Sequence, residues 1–214
     1  MWVVKLGGSL SRSPQLKQWL KVLVNVGERI VIVPGGAAFA DQVRDVQRHW
    51  RFNDVIAHQM AILAMNQYGL MFKGMVDDLI MATSIEEIQQ LYKKRSVVVW
   101  LPSIAMLGQT DIPASWSVTS DSLAAWLAQH LPTKHLILVK SIAFDLPEVS
   151  TSWLVQQDIV DASFPHFINQ AGFDVWILEA GNAGLFYTAV RNGANLGTHV
   201  LIENSGEDMP DSSL

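Results

Sequence analysis

Lys5 closes the short apolar run Trp2-Val3-Val4, and Gly7, Gly8 and Ser9 follow almost at once. Glycines let a backbone turn tightly with its amides uncovered, and consecutive amides form a concavity for anions. An ammonium group beside such a turn adds a full positive charge, which makes the combination suited to cradling a phosphoryl group. An ordinary glycine turn with a snorkelling lysine would have the same local sequence, so the weight rests on what answers Lys5 elsewhere. The run Arg29 to Val33 ends in Pro34-Gly35-Gly36-Ala37, a second apolar segment followed by paired glycines. The run His135 to Val139 ends in Lys140-Ser141, a second lysine at the end of a buried-type segment. An unpaired ammonium is costly in such a place, so Lys5 and Lys140 each need an anion, and bound phosphates would satisfy both. A carboxylate is available in the polar cluster Ser117-Val118-Thr119-Ser120-Asp121-Ser122. Two readings of that cluster stand together. Thr119 or Ser120 caps a helix whose dipole Asp121 complements, or Asp121 reaches back and orients a catalytic ammonium group.

These residues must be positioned by alternating strands and helices. Trp2–Leu6, Arg29–Val33, Val97–Leu101, His135–Lys140 and Asp174–Glu179 have the length and apolar content of buried strands, with a closing strand at Thr198–Ile202 and a short one at Leu79–Ala82. Between them, helical periodicity runs from Pro14 to Gly27, from about Ala38 to Trp50, from Asn53 to Phe72, from Leu123 to Leu131 and after Gly184. Ser84-Ile85-Glu86-Glu87 has the form of a capping box opening a short surface helix that runs to the solvated triplet Lys93-Lys94-Arg95. Residues 142–160 read as a loop over one edge of the site, and 161–170 as a helix ending at Gly172. In a parallel sheet this order brings both glycine turns to the carboxyl ends of strands, where such sheets bind ligands.

The chain has 214 residues, 50% apolar and 16% charged, more apolar than a typical soluble domain. Such a composition points to a sheet covered on both faces or to a large subunit interface. No Pro/Ser-rich linker divides the chain, so one domain over residues 1–202 is expected, followed by a polar, acidic tail, 203–214. No apolar run approaches the ~20 residues that span a bilayer, and a cytoplasmic protein is expected. The net charge of −5 and the scattered basic residues argue against a nucleic-acid binder, so a small ligand is the expected partner. The absence of cysteine excludes thiolate metal sites and cysteine nucleophiles. His58 has no second histidine at ligand spacing, and no protein-bound metal is expected. The methionine-rich segment 53–72, with Met60 and Met65, reads as core or subunit interface, and a homo-oligomer is expected.

The segments Val4-Lys5-Leu6-Gly7-Gly8-Ser9, Val33-Pro34-Gly35-Gly36, Thr119-Ser120-Asp121-Ser122-Leu123 and Gly197-Thr198 occur in the order in which the amino acid kinase family carries them. The chain resembles that family, which includes acetylglutamate kinase, uridylate kinase and isopentenyl phosphate kinase. Through Ala57-His58-Gln59-Met60, Ser115-Trp116-Ser117 and Leu138-Val139-Lys140-Ser141 it most resembles a short subgroup, the kinases of aminomethylfuran-methanol phosphate in methanofuran biosynthesis. The resemblance implies a three-layer αβα sandwich, acetylglutamate kinase-like, with a mostly parallel open sheet of about eight strands. It further implies ATP with Mg²⁺ as donor, Lys5 and Lys140 neutralising the transferred group, and Asp121 positioning the lysines. Gly7, Gly8, Ser9, Gly35, Gly36 and Ser141 would contact phosphate or nucleotide. His58, Arg44 and Ser120 would contact the acceptor, a small phosphate monoester converted to a diphosphate. A carboxylate kinase acting on an amino-acid derivative and a non-catalytic nucleotide- or oxyanion-binding protein are the alternatives. Two positions depart from the family pattern. Ala37 stands where relatives often have a third glycine, and Ala143-Phe144-Asp145-Leu146-Pro147 replaces an Asp-Gly-Val-Tyr-like turn that helps seat the nucleotide.

Overall fold

The computed structural model describes residues 1–91, 96–107, 112–143, 146–169, 171–192 and 196–203. Its centre is built from the apolar runs. β1 (Trp2–Leu6), β2 (Ile30–Pro34), β4 (Val97–Trp100), β5 (His135–Lys140) and β7 (Asp174–Glu179) are joined by the short strands β3 (Ile80–Ala82), β6 (Glu148–Ser150) and β8 (Thr198–Leu201). All eight form one sheet in the order β3-β4-β2-β1-β5-β7-β8-β6, parallel throughout except where β8 runs antiparallel to β7. The helices are α1 (Pro14–Asn25), α2 (Ala37–Trp50), α3 (Asp54–Met75), α4 (Ile85–Leu91), α5 (Ile104–Leu107), α6 (Ser120–Gln129), α7 (Thr151–Gln156), α8 (Phe164–Ile168) and α9 (Ala183–Asn192).

Side chains alternate across the sheet, so each strand feeds two cores. On one face Val4, Leu6, Ile137 and Val139 pack with Leu16, Trp19 and Leu20 of α1, Tyr68 and Phe72 of α3 and Phe186 of α9. On the other, Val3, Leu136 and Leu138 pack with Leu123, Ala124 and Leu127 of α6 and Phe164 and Ile168 of α8. The result is the expected αβα sandwich. Lys5 shares the parity of Val3, and Lys140 that of Leu136 and Leu138. Both therefore extend toward the α6 layer, at the carboxyl ends of adjacent central strands.

Several local expectations are met for identifiable reasons. Pro14 starts α1 beside its cap Ser13, which accepts a bond from the Gln15 amide. Asn53 caps α3 by accepting from the Ile56 amide at 3.0 Å. Ser84 accepts from the Glu87 amide, while the Glu87 carboxylate reaches back to the Thr83 amide, a capping box displaced by one residue.

Two expectations are corrected. Residues 142–160 contain β6 and α7, because Ser150 caps a helical turn through the Trp153 amide and the edge of β8 takes in Glu148–Ser150 as a parallel strand. The helix read over 161–170 is confined to Phe164–Ile168, and Asp161 lies before it, committed to other bonds. The triplet Lys93–Arg95, the Phe144-Asp145 part of the departed turn and the tail from residue 204 lie outside the described residues.

Candidate active site

β1 and β5 are adjacent and parallel, with Lys5 facing Leu138 and Leu6 facing Val139. Lys140 is thus two residues further along its strand than the residue opposite Lys5, and it points to the same face. The first turn of α6 meets that face with Asp121. One carboxylate oxygen of Asp121 lies 2.7 Å from the Lys5 ammonium, and the other accepts a hydrogen bond from Lys140, also at 2.7 Å. Lys140 donates a second bond to the Ile159 carbonyl.

Lys5 and Asp121 are each only 5% exposed, so two cations and one anion share an almost dry site with one positive charge in excess. Burial alone would raise the Asp121 carboxyl, but Lys140 and then Lys5 outweigh it and hold the group at about 2. Burial drives Lys140 the other way, to about 8, with Asp121 opposing that fall and Lys5 adding to it. An additional anion at this position would relieve both effects.

The two glycine bends touch each other rather than flanking a gap. The Gly35 amide donates to the Leu6 carbonyl at 3.0 Å, and a methyl group placed on Gly35 would lie 2.7 Å from the Gly8 nitrogen. The Gly7 amide donates to the Val139 carbonyl at 3.3 Å. The Gly35 amide therefore ties the second bend to the first, and the Gly7 amide ties the first bend to the end of β5, so both already have backbone partners. Further donors are at the start of α2, whose first amides have no intrahelical partner. There Gly36 is right-handed (φ −82°) and Ala37 left-handed (φ 50°), the alternation that curls successive N–H groups into an anion-binding nest. Ser9 and Ser141, both expected at the phosphates, meet in a hydroxyl–hydroxyl bond of 2.8 Å that ties the first bend to the end of β5.

A cavity of about 540 Å³ opens beside the bends, lined by Gly8, Ser9 and Gly36 together with Arg44, His58 and Ser120. The expected acceptor residues are thus brought together, within the size range of small-molecule sites. Burial lowers the His58 imidazole below its ordinary value, opposed by a bond to the Ser115 backbone, and the net fall favours a neutral hydrogen-bonding ring. The Arg44 guanidinium lies 4.2 Å from the Trp116 ring centre, and Trp116 is held in turn by donating its indole N–H to Gln47 at 2.6 Å. A second cleft, lined by Thr119, Asp121, Lys140, Asp158 and Asp161, lies against the ion pairs. A smaller one of about 240 Å³ is lined by Pro147, Glu179, Asn182 and Thr198, past the ends of β7 and β8.

The model of the amino acid kinase family matches residues 1–143, which include both lysines, both glycine pairs and Asp121. The chain belongs to the amino acid kinase family. It is 27% identical over 190 residues to [5-(aminomethyl)furan-3-yl]methyl phosphate kinase of Methanocaldococcus jannaschii, covering 84% of this chain and 88% of that one. Among solved structures it is similar to uridylate kinase from Archaeoglobus fulgidus, with a TM-score of 0.73 and 19% identity over 94% of this chain and 99% of the other. UMP kinase from Ureaplasma parvum is similar with a TM-score of 0.67 and 12% identity over 93% and 97%.

In this amino acid kinase Arg12, Asp41 and Trp116 also line the larger cavity, although no local pattern marks them as site residues. Arg12 and Asp41 look like ordinary surface charges in their helical contexts, and Trp116 sits in an irregular stretch with no periodicity to read. Thr119 was one expected cap of α6 but makes no side-chain capping bond. Asp161 supplies the acceptor instead, from a segment about forty residues away in the chain.

Proposed function

We propose that this protein is an ATP-dependent kinase that transfers the γ-phosphoryl group to a small phosphate monoester, giving a diphosphate. The observation that carries the reading is the surplus positive charge of Lys5–Asp121–Lys140 beside the nest at Gly36-Ala37. A transferring phosphoryl group needs alignment and charge neutralisation more than covalent help. An anionic oxygen of the acceptor attacks the γ-phosphorus, the bond to the β–γ bridging oxygen breaks, and ADP leaves with that electron pair. The nucleophile is already ionised, so no general base is required. Lys5 and Lys140 offset the charge on the moving group, Asp121 holds their spacing, and the amides of Gly36 and Ala37 take phosphate oxygens.

The acceptor is assigned to the larger cavity, with Arg44 and His58 at its phosphate and Arg12 nearby. The relationship to the M. jannaschii enzyme supports [5-(aminomethyl)furan-3-yl]methyl phosphate as the acceptor to test first. Trp116 offers a flat apolar wall to a small ring, and Asp41 a carboxylate to an ammonium group. Among the described residues no three His, Asp or Glu side chains are grouped to hold a metal. Mg²⁺ would enter as a companion of ATP, where it would neutralise polyphosphate charge. No helix of the described residues is long and apolar enough to cross a membrane, and use of ATP fits a cytoplasmic enzyme. Exposed Trp50 on α2 and Val55, Ile56, Leu63 and Leu70 on α3 support self-association.

The test is a ³¹P NMR assay with ATP, Mg²⁺ and a panel of phosphate monoesters and amino-acid carboxylates. A new diphosphate resonance matching ADP release is expected with a phosphate monoester. An acyl phosphate would make the protein a carboxylate kinase, and ATP binding with no transfer to any acceptor would make it a binding protein.

A further inference from the structure

Asp161 has no part in the chemistry just described, yet its half-buried carboxylate accepts four hydrogen bonds. One oxygen accepts from the Thr119 amide at 3.0 Å, the Thr119 hydroxyl at 2.8 Å and the Ser122 amide at 3.0 Å. The other accepts from the Ser122 hydroxyl. Asp121 lies between these two clamped residues, so its backbone is fixed from both sides. The same short segment carries the Ile159 carbonyl that receives Lys140. One strap thus touches the anion's helix and one of the two cations. The Ser163 amide, donating to the Ser117 carbonyl at 3.1 Å, fastens its far end.

We propose that Asp161 is a positioning residue: by clamping the first turn of α6 it sets Asp121 between Lys5 and Lys140, in a cleft that Asp161 and Lys140 both line. The inference rests on the kinase reading for its consequence in turnover, but not for its geometry. The charged groups around Lys140 are Asp121 from α6, Lys5 from β1 and Asp161 from the strap. Asp158 lines the same cleft, and Glu179 faces Lys140 across the β5–β7 register. Of these, Asp121 and Asp161 favour the charged form and Lys5 opposes it. Replacing Asp161 by a neutral isostere removes one of two supports for the charge while keeping an oxygen for the amides.

The experiment compares wild type, Asp161→Asn and Thr119→Val/Ser122→Ala in two readouts. The first is an NMR titration of lysine side chains, with the Lys140 signal assigned by its loss in Lys140→Met. The second is kcat and KM from ADP release with ATP, Mg²⁺ and [5-(aminomethyl)furan-3-yl]methyl phosphate. Asp161→Asn is expected to move the Lys140 titration to lower pH and reduce kcat about tenfold or more, with KM for ATP changed less than about twofold. The double variant keeps the Asp161 charge but loosens its hold on the turn that carries Asp121, so it should lower kcat and move the Lys140 titration less than Asp161→Asn does. An unmoved Lys140 titration in folded Asp161→Asn overturns the proposal. If Asp161→Asn does not fold, wild-type kcat in the double variant overturns it. Should wild type transfer no phosphoryl group, the kinase reading fails, and the titration alone decides the role of Asp161.

Discussion

The Lys140 ammonium lies 2.7 Å from the Asp121 carboxylate, although one closes a strand and the other opens a helix in a different layer. The contact exists because β5 and α6 converge at the carboxyl edge of the sheet, and because the carboxylate's other oxygen already faces Lys5. One acid between two bases leaves the site under-neutralised, and that imbalance is what a polyphosphate would correct.

Activity and stability should respond to alkali in opposite directions. Lys140 titrates at about 8 in the folded chain against 10.5 for a free lysine, so activity in the free enzyme should fall as pH rises through about 8. Between those values the unfolded chain binds more protons, so this group makes stability rise with pH. Denaturant titrations at pH 8 and 10 should show that rise in wild type relative to Lys140→Met, while kcat/KM declines. Saturating ATP should carry the alkaline limb upward by adding negative charge.

For Asp121 the sign is reversed. Its folded value of about 2 lies below the ordinary 3.8, so its contribution is complete above 3.8 and disappears as pH falls through about 2. Asp121→Asn leaves two buried ammonium groups without their anion and should cost ~3–5 kcal/mol in urea denaturation near neutral pH.

Contact between the glycine bends makes Gly8 intolerant of a side chain. A methyl group there would fall 2.7 Å from the Ala37 nitrogen, against backbone that cannot swing aside. Gly8→Ala should destabilise by ~1–3 kcal/mol and lower turnover at least ~10-fold. Gly74 in α3 has nothing within 4 Å of the same position, so Gly74→Ala should be neutral or stabilising by up to ~1 kcal/mol with wild-type kcat.

Ala37 holds a left-handed φ of 50° where glycine would be unstrained. Ala37→Gly should be no less stable than wild type. Ala37→Val should lose more than ~1 kcal/mol, since a β-branched residue resists that conformation strongly. Urea midpoints measure both.

Much of this is legible in the sequence. A lysine or a glycine pair stands out at the end of an apolar run, so the strand ends, and with them Lys5, Gly8, Gly36 and Lys140, were readable. Parallel α/β order then supplied the edge on which they meet. What stayed hidden depends on register and on distant partners. That Gly7 and Gly35 spend their amides on Val139 and Leu6 follows from how two strands align with a third, which no local pattern encodes. Asp161 as the cap of α6 could not be inferred from Thr119, itself a good capping residue, because the competition was settled by a carboxylate about forty residues further along the chain. The Ser/Thr-rich stretch after Pro147 looked like loop because short edge strands and single-turn helices carry little periodicity; Ser150 was a cap rather than a loop residue.

The most direct measurement is calorimetric binding of ADP, Mg²⁺ and aluminium fluoride together with the acceptor phosphate, a mimic of the group in flight, to wild type, Lys5→Met and Lys140→Met. If both ammonium groups act on one phosphoryl group, each substitution should weaken the mimic ~100-fold or more, about 3 kcal/mol, while ADP alone binds within a few-fold of wild type. Wild-type affinity for the mimic in either folded variant would contradict the account.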